Sequence, residues 1–267
     1  MPYARVGEID LFYELVDCVE PWKAAPAPVV FIHGLGGDHT FWLYQVPAFC
    51  ARFPLLSVDL RGHGQSTKPD RDFGIAELAQ DVARLLRGLG VERAHVIGLS
   101  LGGVVAQQFA LDYPLAVASL VLADTFCATP PEYTDAVRAA LQFIEDNDMP
   151  LVAKARITSA FSDAVDPVMR DYFIDRVARN DKASYVRAAR AVMGFSEATR
   201  LHEVAAPTLV VVGDLDRVTP PALSEDLAAH IVGARLARIA DCGHISNLEQ
   251  PVEFNRVVVE FLDSVSR

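Results

Sequence analysis

The stretch Ala94-His-Val-Ile-Gly98-Leu-Ser100-Leu-Gly102-Gly103-Val104 decides how this chain folds. Its first five residues predict a short buried strand, and the residues from Leu101 to Leu111 predict a helix. Between them lies the pattern Gly-x-Ser-x-Gly, in which the glycines relieve crowding where a strand turns sharply into a helix. Such a turn exposes the hydroxyl of Ser100 at the carboxyl end of a sheet. The pattern predicts a nucleophilic serine, and the alternative is a serine that only caps the helix.

Strands and helices alternate on both sides of this turn. An opening hairpin is predicted over 4–16, and the helix that ends before Gly90 carries its apolar residues at helical spacing. The predicted strands cover residues 28–32, 55–60, 94–98, 117–122, 207–213 and 234–239, and the last helix covers 252–265. This alternation predicts an α/β fold with a mainly parallel sheet flanked by helices.

The alternation lapses between Cys127 and Ser196, where only helical signals appear. Asp166-Pro167 is typical of a helix start, with an N-cap followed by proline at the first helical position. One helical face is shared by Tyr133, Val137, Ala140, Leu141 and Ile144. We therefore expect an all-helical insertion. The expected divisions are a core over 1–126 and 197–267 and the insertion over 127–196.

The overall composition excludes several classes of protein. Hydrophobic residues make up 51% and charged residues 22% of the 267 residues, which is an ordinary globular balance. No run approaches the roughly 18 apolar residues of a membrane span, and the N-terminus lacks an export signal, so we expect a soluble, cytoplasmic protein. The net charge of −11 disfavours nucleic acid as a partner. The four scattered cysteines predict reduced packing thiols and no metal site.

A serine hydroxyl is a weak nucleophile at neutral pH and needs a base within hydrogen-bond reach. His244 is the strongest candidate because Cys242-Gly243-His244 follows directly on a predicted strand near the C-terminus. A loop there can reach back across the carboxyl edge of the sheet. Surface or core packing is the expected role of the histidines that lie inside a strand or in peripheral segments. These are His39, His95, His202 and His230.

The base in turn needs a carboxylate that holds it in the right tautomer. Asp216 follows the end of a predicted strand, in Gly213-Asp-Leu-Asp216, and gives the chain order Ser, Asp, His. Two other aspartates remain candidates for this role. Asp214 is two residues away and follows the same strand, while Asp124 ends an earlier strand whose carboxyl end reaches the same edge.

The tetrahedral intermediate of acyl transfer requires preorganised donors for its oxyanion. The backbone N–H groups of Leu101, just after the serine, and of Leu35, in the loop His33-Gly34-Leu35-Gly36-Gly37, are the candidates. The alternative for this loop is a plain tight turn. It matches neither phosphate-binding glycine pattern, so no nucleotide cofactor is expected.

On these residues the chain resembles the α/β-hydrolase superfamily over nearly its whole length. The landmarks in chain order are His33-Gly34, the loop 59–66, the Ser100 turn, Gly213 to Asp216 and Gly243 to Pro251. The resemblance implies that the acid is the last residue of a G-x-x-D motif, which falls on Asp216, and that 127–196 is a cap over the active site. The stretch from Gly243 to Glu249 is most similar to 3-oxoadipate enol-lactonases and small esterases.

The expected activity is hydrolysis of a small carboxylic ester or lactone through an acyl-enzyme, without metal or cofactor. The alternatives with the same fold are a C–C bond hydrolase, a cofactor-free perhydrolase and an acyltransferase. Ring-cleavage C–C hydrolases commonly carry tryptophan where this chain has Ile245, and perhydrolases often carry proline in the loop that holds Leu35. Dehalogenases and epoxide hydrolases carry aspartate where this chain has Ser100. The alternative outside the enzymes is a ligand receptor that retains the serine, aspartate and histidine.

Charge distribution makes the insertion the least repulsive region for an anion. Residues 127–196 contain 9 basic and 10 acidic residues, whereas the rest of the chain contains 15 and 25. The resemblance to 3-oxoadipate enol-lactonases implies a substrate with a free carboxylate. One cap arginine is then expected to point inward, unless these arginines only solvate helix faces. The candidates are Arg138, Arg156, Arg176, Arg179, Arg187 and Arg190.

Overall fold

The computed structural model describes residues 2–22 and 26–266. The strands within these residues are β1 (Tyr3–Val6), β2 (Ile9–Val16), β3 (Val29–Ile32), β4 (Leu55–Val58), β5 (Ala94–Leu99), β6 (Val117–Ala123), β7 (Thr208–Gly213) and β8 (Arg235–Ile239). The α-helices are α1 (Val46–Phe49), α2 (Ile75–Gly88), α3 (Leu101–Asp112), α4 (Thr134–Asp146), α5 (Met149–Ala160), α6 (Pro167–Ala178), α7 (Lys182–Met193), α8 (Pro221–His230), α9 (Ser246–Glu249) and α10 (Pro251–Val265). Short 3-10 helices cover His39–Trp42, Pro114–Ala116, Pro131–Tyr133 and Ala198–Glu203.

The strands form one sheet in the order β1-β2-β4-β3-β5-β6-β7-β8. β1 and β2 form the predicted hairpin, and β2 pairs antiparallel with β4. All pairs from β4 to β8 are parallel. The structure therefore confirms the predicted α/β fold with a mainly parallel sheet.

The central strands are apolar without interruption because helices cover both faces of the sheet. Every residue of β3, β5 and β7 is buried. Along β5, Val96 belongs to the core that contains α2 and α3, while Ile97 belongs to the core that contains α10. Successive side chains thus supply the two opposite faces, as the pleat of a strand requires.

The helix α2 shows how the sequence pattern sets a boundary. Its apolar stripe faces the core, and the helix ends at Gly88. Gly90 follows with a φ of +71°, a left-handed conformation that glycine adopts without steric cost. The predicted position of the glycine at the helix end is confirmed.

The chain between β6 and β7 forms the four helices α4 to α7. Three of them begin at an aspartate whose side chain accepts a backbone hydrogen bond, including Asp166, which accepts from the Val168 N–H at 2.8 Å. At the base of this segment, Ala128 and Ser196 pair in an isolated bridge. The segment also contacts the loop after β3, because the Asn180 side chain donates to the Gly36 carbonyl at 2.8 Å.

The parallel strands bring the candidate residues to one edge of the sheet. The loops after β3, β5, β6, β7 and β8 all start at the carboxyl ends of these strands, where ligands bind in open α/β sheets. None of the helices in the described part of the chain is long and apolar enough to cross a membrane.

Candidate active site

Ser100 lies at the turn between β5 and α3 with φ 53° and ψ −114°. A non-glycine residue rarely adopts a positive φ, and the surrounding backbone must enforce it. A side chain on Gly98 would collide with the backbone of Gly102, and one on Gly102 would collide with the Ile32 carbonyl. The Ser100 side chain makes no capping hydrogen bond with α3. The hydroxyl is therefore free to bond with a group outside the helix.

That group is His244. The Oγ atom of Ser100 lies 2.9 Å from Nε2 of His244, and Nδ1 of His244 lies 2.8 Å from Oδ2 of Asp216. Both His244 and Asp216 are buried. The main-chain N–H of His244 donates to the carbonyl of Ala160, the last residue of α5, at 2.6 Å. The structure thus places the three residues proposed from the sequence in one hydrogen-bonded chain.

The surroundings of Asp216 fix which way each proton points. Its Oδ1 accepts from the N–H groups of Val218 and Thr219, at 2.8 and 2.9 Å. Its Oδ2 accepts from the Thr219 hydroxyl at 2.9 Å and faces Nδ1 of His244. A carboxylate only accepts hydrogen bonds, so Nδ1 carries the ring proton. The Nε2 atom is then the acceptor for the Ser100 hydroxyl.

Asp124 lies nearby but serves a different set of partners. Its Oδ1 accepts from the Gly213 N–H at 3.0 Å, and its Oδ2 accepts from the N–H and hydroxyl of Ser246, at 3.0 and 2.6 Å. Burial and then the negative charge of Asp216 raise the pKa of Asp124 to about 7. Asp124 therefore ties the end of β6 to the end of β7 and to the segment that follows His244.

Asp214, the other alternative candidate for the acid, points to the protein surface. Its carboxylate accepts from Nε of Arg238 at 2.6 Å, and its own N–H donates to the Ile239 carbonyl. Neither contact involves His244. Of the three aspartates weighed from the sequence, the structure brings only Asp216 to the imidazole.

His33 has a positioning role that the sequence reasoning missed. Its Nε2 accepts from the Leu60 N–H at 3.0 Å, so Nδ1 carries the proton and donates to the Gly34 carbonyl at 2.7 Å. Complete burial lowers the pKa of His33, which keeps the ring neutral. The signal in the sequence was a histidine directly after a buried strand and before glycine.

The same carbonyl sets the direction of the Leu35 N–H. The Gly34 carbonyl also accepts from the Gly37 N–H at 3.0 Å, so two donors hold it inside the loop. In a trans peptide the N–H points opposite to the carbonyl, so the Leu35 N–H points out of the loop. Leu35 and Ser100 border the same cavity. Leu101 is the first residue of α3, where N–H groups lack a partner within the helix.

The remaining histidines weighed from the sequence lie away from Ser100. His39 bonds Asp59 at 2.8 Å, His95 bonds Ser119 at 2.8 Å, and His230 bonds the Asp226 carbonyl at 2.8 Å. His202 is exposed. His63 is buried, and burial lowers its pKa to about 3. These contacts are those of structural histidines.

A cavity of about 390 Å³ opens beside Ser100. Its wall between the sheet edge and the helices is largely apolar, and the apolar residues that border it from the helical segment include Tyr133, Ala136, Val137, Ala140, Val192 and Met193. A smaller chamber of about 40 Å³ also borders Ser100, together with His244. A largely apolar cavity of this size next to the Ser100 hydroxyl has the properties of a small-molecule site.

Of the six arginines proposed from the sequence, Arg156 alone borders this cavity. The other five do not border it. Arg138 pairs with Asp135, Arg176 with Asp38, Arg187 with Asp70, and Arg190 with Glu145, while Arg179 is exposed. The alternative of solvated helix faces describes Arg138, Arg179 and Arg190, which are exposed, whereas Arg176 and Arg187 are half-buried against loops of the core.

The cysteines are free thiols in the described residues. Cys18 and Cys50 lie side by side, joined by a backbone hydrogen bond of 3.2 Å, a proximity that their sequence positions did not reveal. Cys127 forms a group with Asp226 and His230 whose possible metal-ligating atoms lie within 4.8 Å of one another. Burial raises the pKa of Cys127 to about 12. This group does not border the cavity beside Ser100.

Residues 29–257 match the model of the Alpha/beta hydrolase family. This match covers most of the chain, and the chain therefore belongs to that family of hydrolytic enzymes. The resemblance inferred from the sequence is confirmed.

Among curated relatives, 3-oxoadipate enol-lactonase 1 of Acinetobacter baylyi is 30% identical over 244 residues, or 90% of each chain. The solved enol-lactonase of Burkholderia xenovorans LB400 is 30% identical with a TM-score of 0.90, over 98% of this chain and 100% of that one. A thermophilic esterase of Thermogutta terrifontis, solved with malate bound, is 28% identical with a TM-score of 0.87, over 99% and 97%.

Proposed function

We propose that this chain is a serine hydrolase that cleaves a small carboxylic ester or lactone through an acyl-enzyme. The observation that carries the proposal is the hydrogen-bonded chain from Ser100 through His244 to Asp216, with links of 2.9 and 2.8 Å, beside a cavity of about 390 Å³. Nucleophile, base and orienting acid are the minimum set that activates a serine hydroxyl.

In the proposed reaction, Ser100 Oγ attacks the substrate carbonyl while Nε2 of His244 takes the hydroxyl proton. The bond from the carbonyl carbon to the leaving oxygen then breaks, and His244 returns the proton to that oxygen. Water attacks the acyl-enzyme with the same base, which releases the acid and restores Ser100. Asp216 holds the imidazole and stabilises the imidazolium formed in each half of the reaction.

The Leu35 and Leu101 N–H groups are the proposed oxyanion donors. The fixed Gly34 carbonyl and the free N–H groups at the start of α3 support this assignment, because they preorganise donors beside Ser100 before substrate arrives. The side chains of Leu35 and Leu101 are incidental to it.

The segment 127–196 is proposed as a cap that roofs the site and selects the substrate. Its support is that α4, α5 and α7 contribute side chains to the cavity. The names of the relatives support an ester or lactone substrate, since they include enol-lactonases and an esterase.

The test is a hydrolysis screen over short and long p-nitrophenyl esters, lactones and enol-lactones, with Ser100→Ala as the control. We expect repeated turnover of at least one ester or lactone by the wild type and none by the variant. A single stoichiometric release of product would favour a ligand receptor instead. Transfer of the acyl group to an added alcohol or amine in preference to water would favour an acyltransferase.

A further inference from the structure

Among the described basic residues of the helical segment, Arg156 is the one that borders the proposed site. It lies on α5 and borders both the larger cavity and the smaller chamber, and Ser100 borders both as well. Ala160, four residues further along α5, accepts the main-chain hydrogen bond of His244. Residues four apart lie on the same face of a helix, about 6 Å apart along its axis, so α5 holds Arg156 close to the base.

The guanidinium of Arg156 has no carboxylate partner among the described residues. It interacts electrostatically with the hydroxyl of Tyr185, a neutral group. Arg217, the other cation that borders the cavity, is already paired with Asp163, with both amino groups about 3 Å from the carboxylate. A guanidinium carries five N–H donors, and one hydroxyl leaves most of them available.

The charge of the cavity wall is opposite to that of the whole protein. The chain has 35 acidic and 24 basic residues, yet the described residues that border the two spaces include two arginines and no aspartate or glutamate. A half-buried, unpaired cation in a largely apolar cavity lacks part of its hydration, which favours binding of an anion there.

We propose that Arg156 binds a carboxylate of the substrate, so that the preferred substrates are esters or lactones with a free carboxylate. This inference rests on the proposed hydrolase function and names the substrate class of the same site. Planar guanidinium and planar carboxylate match in two parallel hydrogen bonds, which fixes the orientation of the substrate as well as its affinity.

The experiment compares two matched pairs of esters. Mono-p-nitrophenyl glutarate and its methyl ester differ by one charge on the acyl side, and 4-acetoxybenzoate and its methyl ester differ by one charge on the leaving-group side. We expect the wild type to prefer the charged member of at least one pair. Arg156→Met, which keeps apolar bulk and removes the charge, should raise KM for that member by about tenfold or more and leave its neutral counterpart within about threefold.

Two further variants separate recognition from a structural role. Tyr185→Phe removes this hydroxyl but keeps the cation, so it should preserve the preference for the anion. Arg217→Met removes the other cavity cation, which is already paired, and should also preserve it. A preference lost equally in Tyr185→Phe and Arg156→Met would overturn the proposal, because Arg156 would then act only by anchoring Tyr185.

Direct binding separates failure of this inference from failure of the proposed reaction. Calorimetry with glutarate, in a Ser100→Ala background, should show a Kd about tenfold weaker once Arg156→Met is added. Binding that depends on Arg156 without hydrolysis of any ester would count against the proposed reaction and leave the carboxylate site standing. Hydrolysis that proceeds with neither an Arg156-dependent preference nor Arg156-dependent glutarate binding would overturn the carboxylate site and leave the reaction standing.

Discussion

Asp216→Asn should abolish base catalysis through the tautomer of His244. The Oδ1 atom of Asp216 accepts from two backbone N–H groups, of Val218 and Thr219. An asparagine must keep its carbonyl oxygen at that position, because an NH₂ group there would face two donors. The NH₂ group then takes the place of Oδ2 and donates to Nδ1 of His244. The ring proton moves to Nε2, which can no longer accept from Ser100.

The expected loss follows from this change of tautomer. In the serine-protease template the same substitution lowers kcat by about 10⁴, or roughly 5.4 kcal/mol of transition-state stabilisation at 1.36 kcal/mol per tenfold. Because the two N–H donors impose the amide orientation, we expect a loss of the same order in this chain. The KM value should change little, since Asp216 does not border the cavity.

The assay is steady-state hydrolysis of the best ester from the screen, with circular dichroism to verify folding. Asp214→Asn is the matched control, because Asp214 lies two residues away and pairs with Arg238 at the surface. It should retain kcat within about threefold, as expected for a surface change. A full loss of activity in Asp124→Asn together with a mild effect in Asp216→Asn would refute the assignment of the acid.

Three other substitutions test the surroundings of the site. Gly36 has a φ of +78°, and an added Cβ would press on the buried ring of Tyr185. Gly36→Ala should therefore lower the free energy of unfolding by about 2 kcal/mol or more and the Tm by roughly 4–8 °C. The control Gly88→Ala lies in open space at the end of α2 and should lower neither quantity. Equal Tm values for the two variants would contradict this. Leu35→Met should keep kcat within about threefold, because only the backbone N–H is assigned a role; a loss of a hundredfold would contradict that assignment. Burial raises the pKa of Asp124 to about 7 in the folded state, above its ordinary value of 3.8. Between these two pH values the folded protein holds a proton that the unfolded chain has released, so the contribution of Asp124 to stability falls as the pH rises from about 4 to about 7. Urea unfolding at several pH values should show this dependence in the wild type and not in Asp124→Asn; identical pH profiles would contradict it.

The fold and the position of Ser100 were predictable because their signals are local. A buried strand, two glycines that permit close backbone approach and a following helix occupy eleven consecutive residues, and the turn geometry depends on little else. The alternation of strands and helices then implies the parallel sheet, which places the following loops at one edge. His244 was accessible by the same argument, since it follows the last strand.

The identity of the acid could not be settled by spacing alone. Asp124, Asp214 and Asp216 all follow the end of a parallel strand, so each reaches the same edge of the sheet. What separates them is the direction of each side chain, which depends on hydrogen bonds from residues distant in sequence. Ser246 engages Asp124 and Arg238 engages Asp214, which leaves Asp216 for His244.

The orientation of the helical segment was equally inaccessible from periodicity. Arg156 and its neighbours lie on helices whose faces meet the sheet edge through tertiary contacts, such as the ring of Tyr185 against Gly36. Net charge pointed to this segment but not to a particular arginine. His33 was overlooked for a similar reason, since its partner Leu60 lies 27 residues away.

Covalent labelling of Ser100 by a fluorophosphonate is the most direct test of its role as the nucleophile. The protein is incubated with a fluorophosphonate, and intact mass and peptide mapping locate the adduct. We expect one adduct per chain, on the peptide that contains Ser100. Its formation should be strongly slowed in His244→Ala, and no adduct should form in Ser100→Ala. An adduct that persists at full rate in Ser100→Ala, or that maps to another residue in the wild type, would contradict the assignment of Ser100 as the nucleophile.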